Sequence, residues 1–277
     1  MVKQKLSASS KIKLSVALAT FNEEHCLAEC LASVKSLADE IVIVDGSSVD
    51  KTVEIAKSFG AKVIVTDNKP IFHLNKQQAM DECKGDWILQ LDADEIVTPE
   101  LAQEIKEIIS DMNQEQYASA YWIKRKKMFL GHWIKKGGQY PDPVIRFLKK
   151  GKAYLPCKSV HEQMVVTGET GWLKNPMLHL PTPSFTVYIT KDNRYSTLTA
   201  NELFRQKAPL GWAGFLKYVV FKPVSTFFSL FFRHKGFIDG FPGFIFALYS
   251  AAHYVSAYAK YWEMRATNKN TTEKDWV

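Results

Sequence analysis

The sequence predicts an α/β protein: a doubly wound, mostly parallel sheet with an antiparallel extension, followed by a membrane-seeking helical region. Three observations predict it. Between residues 12 and 112, strand-like and helix-like stretches alternate, the pattern of a parallel sheet with crossover helices. From 118 to 180 the chain reads as short strands joined by Gly and Lys turns, an antiparallel addition to one sheet edge. From about 184 it turns helical and rich in Phe and Tyr, with cations interspersed. The expected organisation is therefore one domain over 1–183, in halves 12–112 and 113–183, and a helical region over 184–277.

The first strand is "KLSVALAT". Basic residues precede it, but "LSVALATF" is short for a signal core and lacks a clear cleavage site. A helix is expected from Glu24 to Lys35, then the strand "EIVIVD". "GSSVD" leads into the helix "KTVEIAKSFG", with Asp50 as N-cap and Gly60 as stop. "KVIVT" is the third strand and "NKQQAMDECKG" the third helix. "WILQL" has the length and apolar continuity of a strand covered on both faces. Thr98 and Pro99 open the helix "PELAQEIKEIIS", with proline where a first helical position tolerates it. The extension is drawn from "SAYWIKRKKMFL", "PVIRFLKKGKAYL" and "SVHEQMVV". Residues 240–259 carry no Asp, Glu, Lys or Arg, about the length of a membrane span. Their glycine, proline, serines, tyrosines and histidine favour an interfacial or re-entrant helix pair over a true span. Packing on the protein itself is the alternative.

With 277 residues, 46% hydrophobic and 23% charged, the composition is that of a globular chain with a sizeable core, not a disordered one. The net charge of +7 gathers in "KRKK" at 124–127, "KK" at 135 and "KKGK" at 149–152. Such clusters suit phosphate-bearing acceptors or an anionic membrane surface. No zinc-finger spacing, aromatic ribonucleoprotein motif or heptad zipper accompanies them, so nucleic acid is not the expected partner. Four cysteines, with no C-x-x-C pair, read as reduced thiols in a cytosolic setting.

Three loops follow the carboxyl ends of parallel strands, where ligands collect in such sheets. They bring Thr20, Asn22 and Glu23 from "ATFNEE", Asp45 and Ser48 from "VDGSSVD", and Asp92, Asp94 and Glu95 from "DADE". Three carboxylates in four positions repel one another unless a divalent cation offsets them, and hard oxygen ligands suit Mg²⁺ or Mn²⁺. The bland alternative is a solvated loop. Neither G-x-G-x-x-G nor G-x-x-x-x-G-K-[ST] is present, which leaves a nucleotide held by polar side chains and through a metal.

Together "LATFNEE", "VDGSSVDKT", "NKQQAM" and the Asp92-Ala93-Asp94 motif resemble glycosyltransferase family 2, inverting transferases of the GT-A fold. "GGQYPDPVIRFLKKGKAYL", "SVHE" and "DNRYSTLTANE" extend the resemblance to the branch that adds glucose or a related hexose to the inner core of lipopolysaccharide or lipooligosaccharide. The resemblance implies a nucleoside-diphosphate sugar as donor, UDP favoured, and a glycolipid acceptor. It also implies a peripheral place on the inner face of the bacterial cytoplasmic membrane. Residues 12–112 are then the nucleotide-sugar half and 113–183 the acceptor and base half. Asp45 accepts from the nucleotide base, with Thr20, Asn22 and Glu23 lining the same pocket. Lys76 meets the diphosphate as a point charge. Asp92 contacts the ribose or the metal, and Asp94 holds a Mn²⁺ or Mg²⁺ that stabilises the departing nucleoside diphosphate. A single displacement inverts the anomeric centre, so an α-linked donor gives a β-linked product.

Two departures stand out. Many relatives carry two consecutive acids where this chain has Asp45-Gly46, and the base, often in a Glu-Asp pair, corresponds here to His161-Glu162. Glu162 is the expected base, with His161 orienting or replacing it. Asp142 in "YPDP" is the rival carboxylate, its alternative being a turn residue between prolines. Arg146 and the "KRKK" cluster are candidates for acceptor phosphates, solvation being the alternative for several of the lysines. Competing functions are a polyprenyl-phosphate glycosyltransferase, a non-catalytic nucleotide-sugar-binding membrane scaffold, and a nucleotidyltransferase, though the glycine-rich basic loop expected of the last is missing.

Overall fold

Burial on both faces makes the first half of the chain a sheet. The structure, a computed structural model, describes residues 13–158, 162–182 and 184–267; His161 lies outside the described residues. Strands β1 (Leu14–Thr20), β2 (Glu40–Asp45), β3 (Lys62–Val65) and β4 (Trp87–Leu91) pair in parallel in the order β3-β2-β1-β4. Successive side chains point to opposite faces. Val16, Leu18, Ile41, Ile43, Leu89 and Leu91 share one core with α1 (Leu27–Val34), α2 (Thr52–Ser58) and α4 (Pro99–Ser110). Ala17, Val42, Val44 and Ile88 pack with Ala79 and Met80 of α3 (His73–Asp81) in a second core. The chain runs from β1 outward to β3, then returns to β4 on the other side of β1. The crevice at the carboxyl ends of β1 and β4 is therefore a topological switch point.

Local chemistry sets the helix starts. Thr98 Oγ1 accepts from Leu101 N at 3.2 Å and Pro99 occupies the first turn, as expected. The first helix begins at Leu27 rather than Glu24, because the amides of Glu23 and Glu24 donate instead to Thr52 Oγ1 and Asp50 Oδ2. Asp50 lies one residue outside the α2 cap, yet its Oδ1 accepts from Thr52 N at 3.0 Å. Gly60, at φ 78°, ends that helix as expected.

The sheet continues antiparallel through β5 (Glu95–Ile96), β6 (Ala120–Phe129), β8 (Asp142–Lys149) and β12 (Met177–His179), in the order β4-β8-β6-β12-β5. The β12–β5 register sets His179 opposite Glu95. β7 (His132–Trp133) turns back on β6, β11 (Thr170–Trp172) runs parallel to β6, and β9 (Ala153–Tyr154) pairs with β10 (Val165–Val166). This is the α/β architecture that the sequence predicts, a mostly parallel sheet with an antiparallel extension.

Contacts group the chain into two units, 1–125 with 143–179 and 126–142 with 180–277. The sequence reading places one boundary at 183, whereas the hairpin 126–142 groups with the C-terminal helices. Phe129 and Ile134 are buried with Phe246, and the amides of Lys135 and Lys136 donate to the buried carboxylate of Asp239 at 3.0 and 2.8 Å. In this second unit α5 (Phe185–Arg205) packs on the helix Gly240–Thr267 through Ala200, Leu203, Tyr258, Tyr261 and Met264. Residues 240–259 thus belong to a helix that buries Phe246, Ala247, Ala251, Ala257 and Tyr258 against the protein's own chain. The described helix long and apolar enough to cross a membrane lies upstream, at Gly211–Arg233, with mean hydropathy 1.3.

Candidate active site

The rim of the switch-point crevice is built by two loops that satisfy each other. Asp45, fully buried at the end of β2, accepts from Thr20 Oγ1 at 2.8 Å, Ser48 N at 2.8 Å and Ser48 Oγ at 2.7 Å. A buried polar group needs such donors to replace the hydrogen bonds it loses to water. Asn22, at φ 55°, donates its amide to Ser48 Oγ and accepts from Val49 N at 2.9 Å. Glu23 N closes the set on Thr52 Oγ1 at 2.7 Å. The Asp45-Gly46 departure has a steric reason: a Cβ at Gly46 would lie 3.1 Å from Asn68 Cα, leaving little room for a second acid.

The three carboxylates of "DADE" part company. Glu95 is fully buried, and its Oε1 accepts from Arg125 at 3.1 Å and Arg146 at 2.9 Å, while Oε2 accepts from Asp92 N at 2.9 Å. Asp92 Oδ2 accepts from the buried Arg146 at 2.5 Å, and Oδ1 pairs with Lys76 Nζ. Burial alone would raise the Asp92 pKa, but the Arg146 and Lys76 cations outweigh it and hold the carboxyl far below the usual carboxylate range. Arg146 is itself pushed up, burial being outweighed by Asp92 and Glu95. The repulsion expected between Asp92 and Glu95 is therefore offset by Arg146, Arg125 and Lys76. Arg146, expected as a surface contact for acceptor phosphates, is instead an internal counterion, and Arg125 of the "KRKK" run turns inward to Glu95.

Asp94 keeps a different surrounding. Its side chain stays 25% exposed, and Oδ2 lies 3.6 Å from His179 Nε2. The buried Nδ1 of His179 has no hydrogen-bond partner. Among the described residues no three His, Cys, Asp or Glu side chains gather as a complete metal cage. One carboxylate and one imidazole with open positions nonetheless fit a Mg²⁺- or Mn²⁺-type ion, which takes few protein ligands and completes its shell with substrate phosphates and water. His179 escaped the sequence reading. Its signal was a lone histidine in "MLHLP" at a strand end, and only the β12–β5 register gives that position meaning.

Glu162 is three-quarters or more buried, 3.4 Å from His73 Nδ1, and accepts from Lys158 N at 3.0 and 3.2 Å. His73 and Lys76 stand three residues apart on α3, hence on one face of that helix. That face therefore ties Glu162 and Asp92 together: the candidate base and the acidic motif meet through α3. Asp142, the rival, opens β8 and groups with the other unit.

Comparison with known proteins bears directly on this arrangement. A relative from Rickettsia typhi, an uncharacterized glycosyltransferase, is 31% identical over 95% of this chain and 91% of its own length. The lipopolysaccharide core biosynthesis glycosyltransferase LpsC of Rhizobium meliloti is 28% identical over 87% of this chain and 92% of its own. Among solved structures, residues 1–349 of TarS from S. aureus align with 93% of this chain and 92% of that one, at a TM-score of 0.45 and 17% identity. The profile described as Glycosyl transferase family 2 matches residues 15–162, a span that takes in all four parallel strands, the acidic motif and Glu162. By that match, and by the Rickettsia relative, the chain belongs to glycosyl transferase family 2 and is a glycosyltransferase.

Proposed function

We propose that this glycosyltransferase moves a hexose, glucose by resemblance, from a nucleoside-diphosphate sugar to a cell-envelope glycan acceptor of the lipopolysaccharide inner-core type, with inversion. The observation that carries the reading is the α3 face, where His73 and Lys76 join Glu162 to Asp92. A relative named for lipopolysaccharide core biosynthesis supports the acceptor class.

In this reading Thr20, Asn22, Glu23 and the Asp45-braced loop form the nucleotide rim. Asp45 has spent three of its roughly four acceptor positions internally, which leaves Oδ1 one place for a base N–H. Lys76 exchanges part of its pairing with Asp92 for the donor diphosphate, and Asp92 is free to meet the ribose as that pairing loosens. Asp94 and His179 would hold the divalent cation, which would supply charge neutralisation for the departing diphosphate. Glu162 takes the proton of the acceptor hydroxyl as its oxygen attacks the anomeric carbon and the bond to the diphosphate breaks. His73 keeps the Glu162 carboxylate aimed, its Nδ1 3.4 Å from Oε1. The chemistry is set at the cytoplasmic face of the inner membrane, where soluble donors meet lipid-linked acceptors.

The test is a panel of nucleotide sugars with Mn²⁺ or Mg²⁺ and lipid-linked core acceptor, scoring nucleoside diphosphate release and the product anomer. One donor turned over to a β-linked product, with release lost in Asp94→Ala and Glu162→Ala, is the expected result. Donors that bind without turnover in the presence of acceptor would overturn it in favour of a nucleotide-sugar-binding scaffold.

A further inference from the structure

The helix Gly211–Arg233 and the stretch that follows it hold a surface that protein packing does not explain. Its most apolar window is 6% buried. Trp212, Leu216, Phe221, Val224, Phe228 and Phe232 are all exposed, Trp212 by 80% and Phe221 by 65%. Their spacing is helical apart from one interval of five, Leu216 to Phe221. That interval coincides with a π-helical turn over those same residues, and a second π-helical turn, Ser229–Arg233, follows near the end of the line. A second line follows at Phe237, Phe241, Phe244 and Leu248, spaced by four, three and four residues and likewise exposed. Phe231 joins the two lines, with ring centroids 6.2 Å from Phe237 and 5.7 Å from Phe244. The result is one continuous aromatic surface. At its start an open apolar recess of about 350 Å³ lies between Gly211, Trp212, Phe215, Tyr258 and Trp262.

Charge says what covers this surface. From Gly211 to Trp262 the chain has five Lys and Arg residues and one acid, Asp239, which is buried on the amides of Lys135 and Lys136. Lys217, Arg233 and Lys235 are exposed beside the aromatic lines. An apolar face edged by cations, with no exposed acid between Gly211 and Trp262 and a single one, Glu263, just beyond, is complementary to a bilayer with anionic headgroups. Lys222 decides the mode. It is the twelfth of 23 residues, so a transmembrane helix would carry its charge to the bilayer centre, where charged side chains are strongly disfavoured. Its Nζ lies instead over the rings of Tyr218 and Tyr254, at 5.2 and 4.9 Å. The partnering helix thus occupies that side and leaves the aromatic lines facing outward.

We propose that this surface docks flat in the interface of an anionic bilayer, aromatic rings among the upper acyl chains and lysines at the phosphates, without spanning it. The inference deepens the membrane placement given above and specifies the lipid and the mode. Full-length protein is incubated with vesicles of phosphatidylcholine alone and with equal parts phosphatidylglycerol, and bound protein is separated by flotation. Binding at least about tenfold tighter to the anionic vesicles is expected. Lipids brominated near the headgroup end of the acyl chain should quench Trp212 fluorescence, and Trp212→Phe should remove that share of the quenching. Phe228→Asp with Phe232→Asp should abolish binding to both vesicles, whereas Lys217→Glu with Lys235→Glu should erase the anionic preference. No binding by the wild-type chain, quenching by bromines at the acyl terminus only, or resistance to alkaline extraction would each overturn in-plane docking. Nucleoside diphosphate release with donor and acceptor, measured on the same protein preparation, keeps the two readings apart: failed docking with intact turnover overturns this inference alone, and docking without turnover in the presence of acceptor overturns the proposed transfer reaction alone.

Discussion

Leu89 of β4 and Phe228 of the helix Gly211–Arg233 are both large apolar residues in regular structure. Leu89 is fully buried, and Phe228 is 56% exposed. Charges divide the same way. Around β4, Asp92, Glu95, Lys76 and Arg146 are drawn inward and neutralise one another, while beside the aromatic lines cations stand out in water without exposed acids. Folding accounts for the burial and pairing of these first-region side chains. The second region leaves large apolar side chains uncovered, which folding alone does not account for and which the proposed bilayer docking would cover.

The sharpest way to break this contrast is to remove the inner counterion. Arg146→Met leaves Glu95 and Asp92 in place with one cation fewer, and stranding a buried charge costs roughly 3–5 kcal/mol. At about 2–4 °C per kcal/mol for a chain of this size, the unfolding temperature should fall by roughly 10 °C, read by circular dichroism. A fall of less than a degree or two would mean that the cluster is solvated and contributes little.

Asp94→Ala sharpens the contrast within the acidic motif itself. Turnover should fall by about 10²- to 10³-fold, the usual scale for losing an electrostatic contact to a leaving group. The unfolding temperature should stay near wild type, because Asp94 is partly exposed and faces His179 at 3.6 Å. His179→Ala should lose turnover comparably, and chelation of the wild type should do the same, reversed by Mn²⁺. A large thermal shift in Asp94→Ala would make it a structural acid like Glu95.

The acid limb of stability tests Asp92. Its folded pKa lies far below the ordinary 3.8, with burial opposing and Arg146 and Lys76 prevailing. The unfolded chain therefore takes up a proton near pH 4 while the folded one does not, so the stability this group contributes is full above pH 4 and declines as pH falls below it. Lys76→Met removes one of the two cations and should flatten that decline between about pH 4 and 2. Equal slopes in the two proteins would remove Lys76 from the account.

How much of this was legible in the residues follows from the same contrast. "WILQL" announced itself because burial on both faces leaves no polar alternation, and Thr98-Pro99 because a cap is local. Glu95 and Arg146 are 51 residues apart, and no local pattern says that an arginine of the extension turns inward to an acid of the motif. His179 required a strand register, and His73 the approach of Glu162, 89 positions away in the chain, to α3. In the tail, the uncharged run 240–259 drew the eye, yet absence of charge does not distinguish packing against α5 from packing against lipid. The exposed helix gave no charge-free run, because Lys217, Lys222 and Arg233 interrupt it.

The smallest expected effect is the most discriminating. Leu89→Ala opens a cavity in a two-faced core and should cost about 2–5 kcal/mol. Phe228→Ser removes a larger side chain, but one whose ring lies mostly in solvent, stacked 5.1 Å from Phe232. Its cost in water should stay within about 0.5 kcal/mol. It should even raise solubility, since an exposed aromatic surface promotes association of copies in the absence of lipid. Denaturant titration of the two variants in parallel reads the difference directly. If Phe228→Ser destabilises the soluble protein as much as Leu89→Ala does, the aromatic surface is part of a folded core after all, and the reason for seeking a bilayer to cover it disappears.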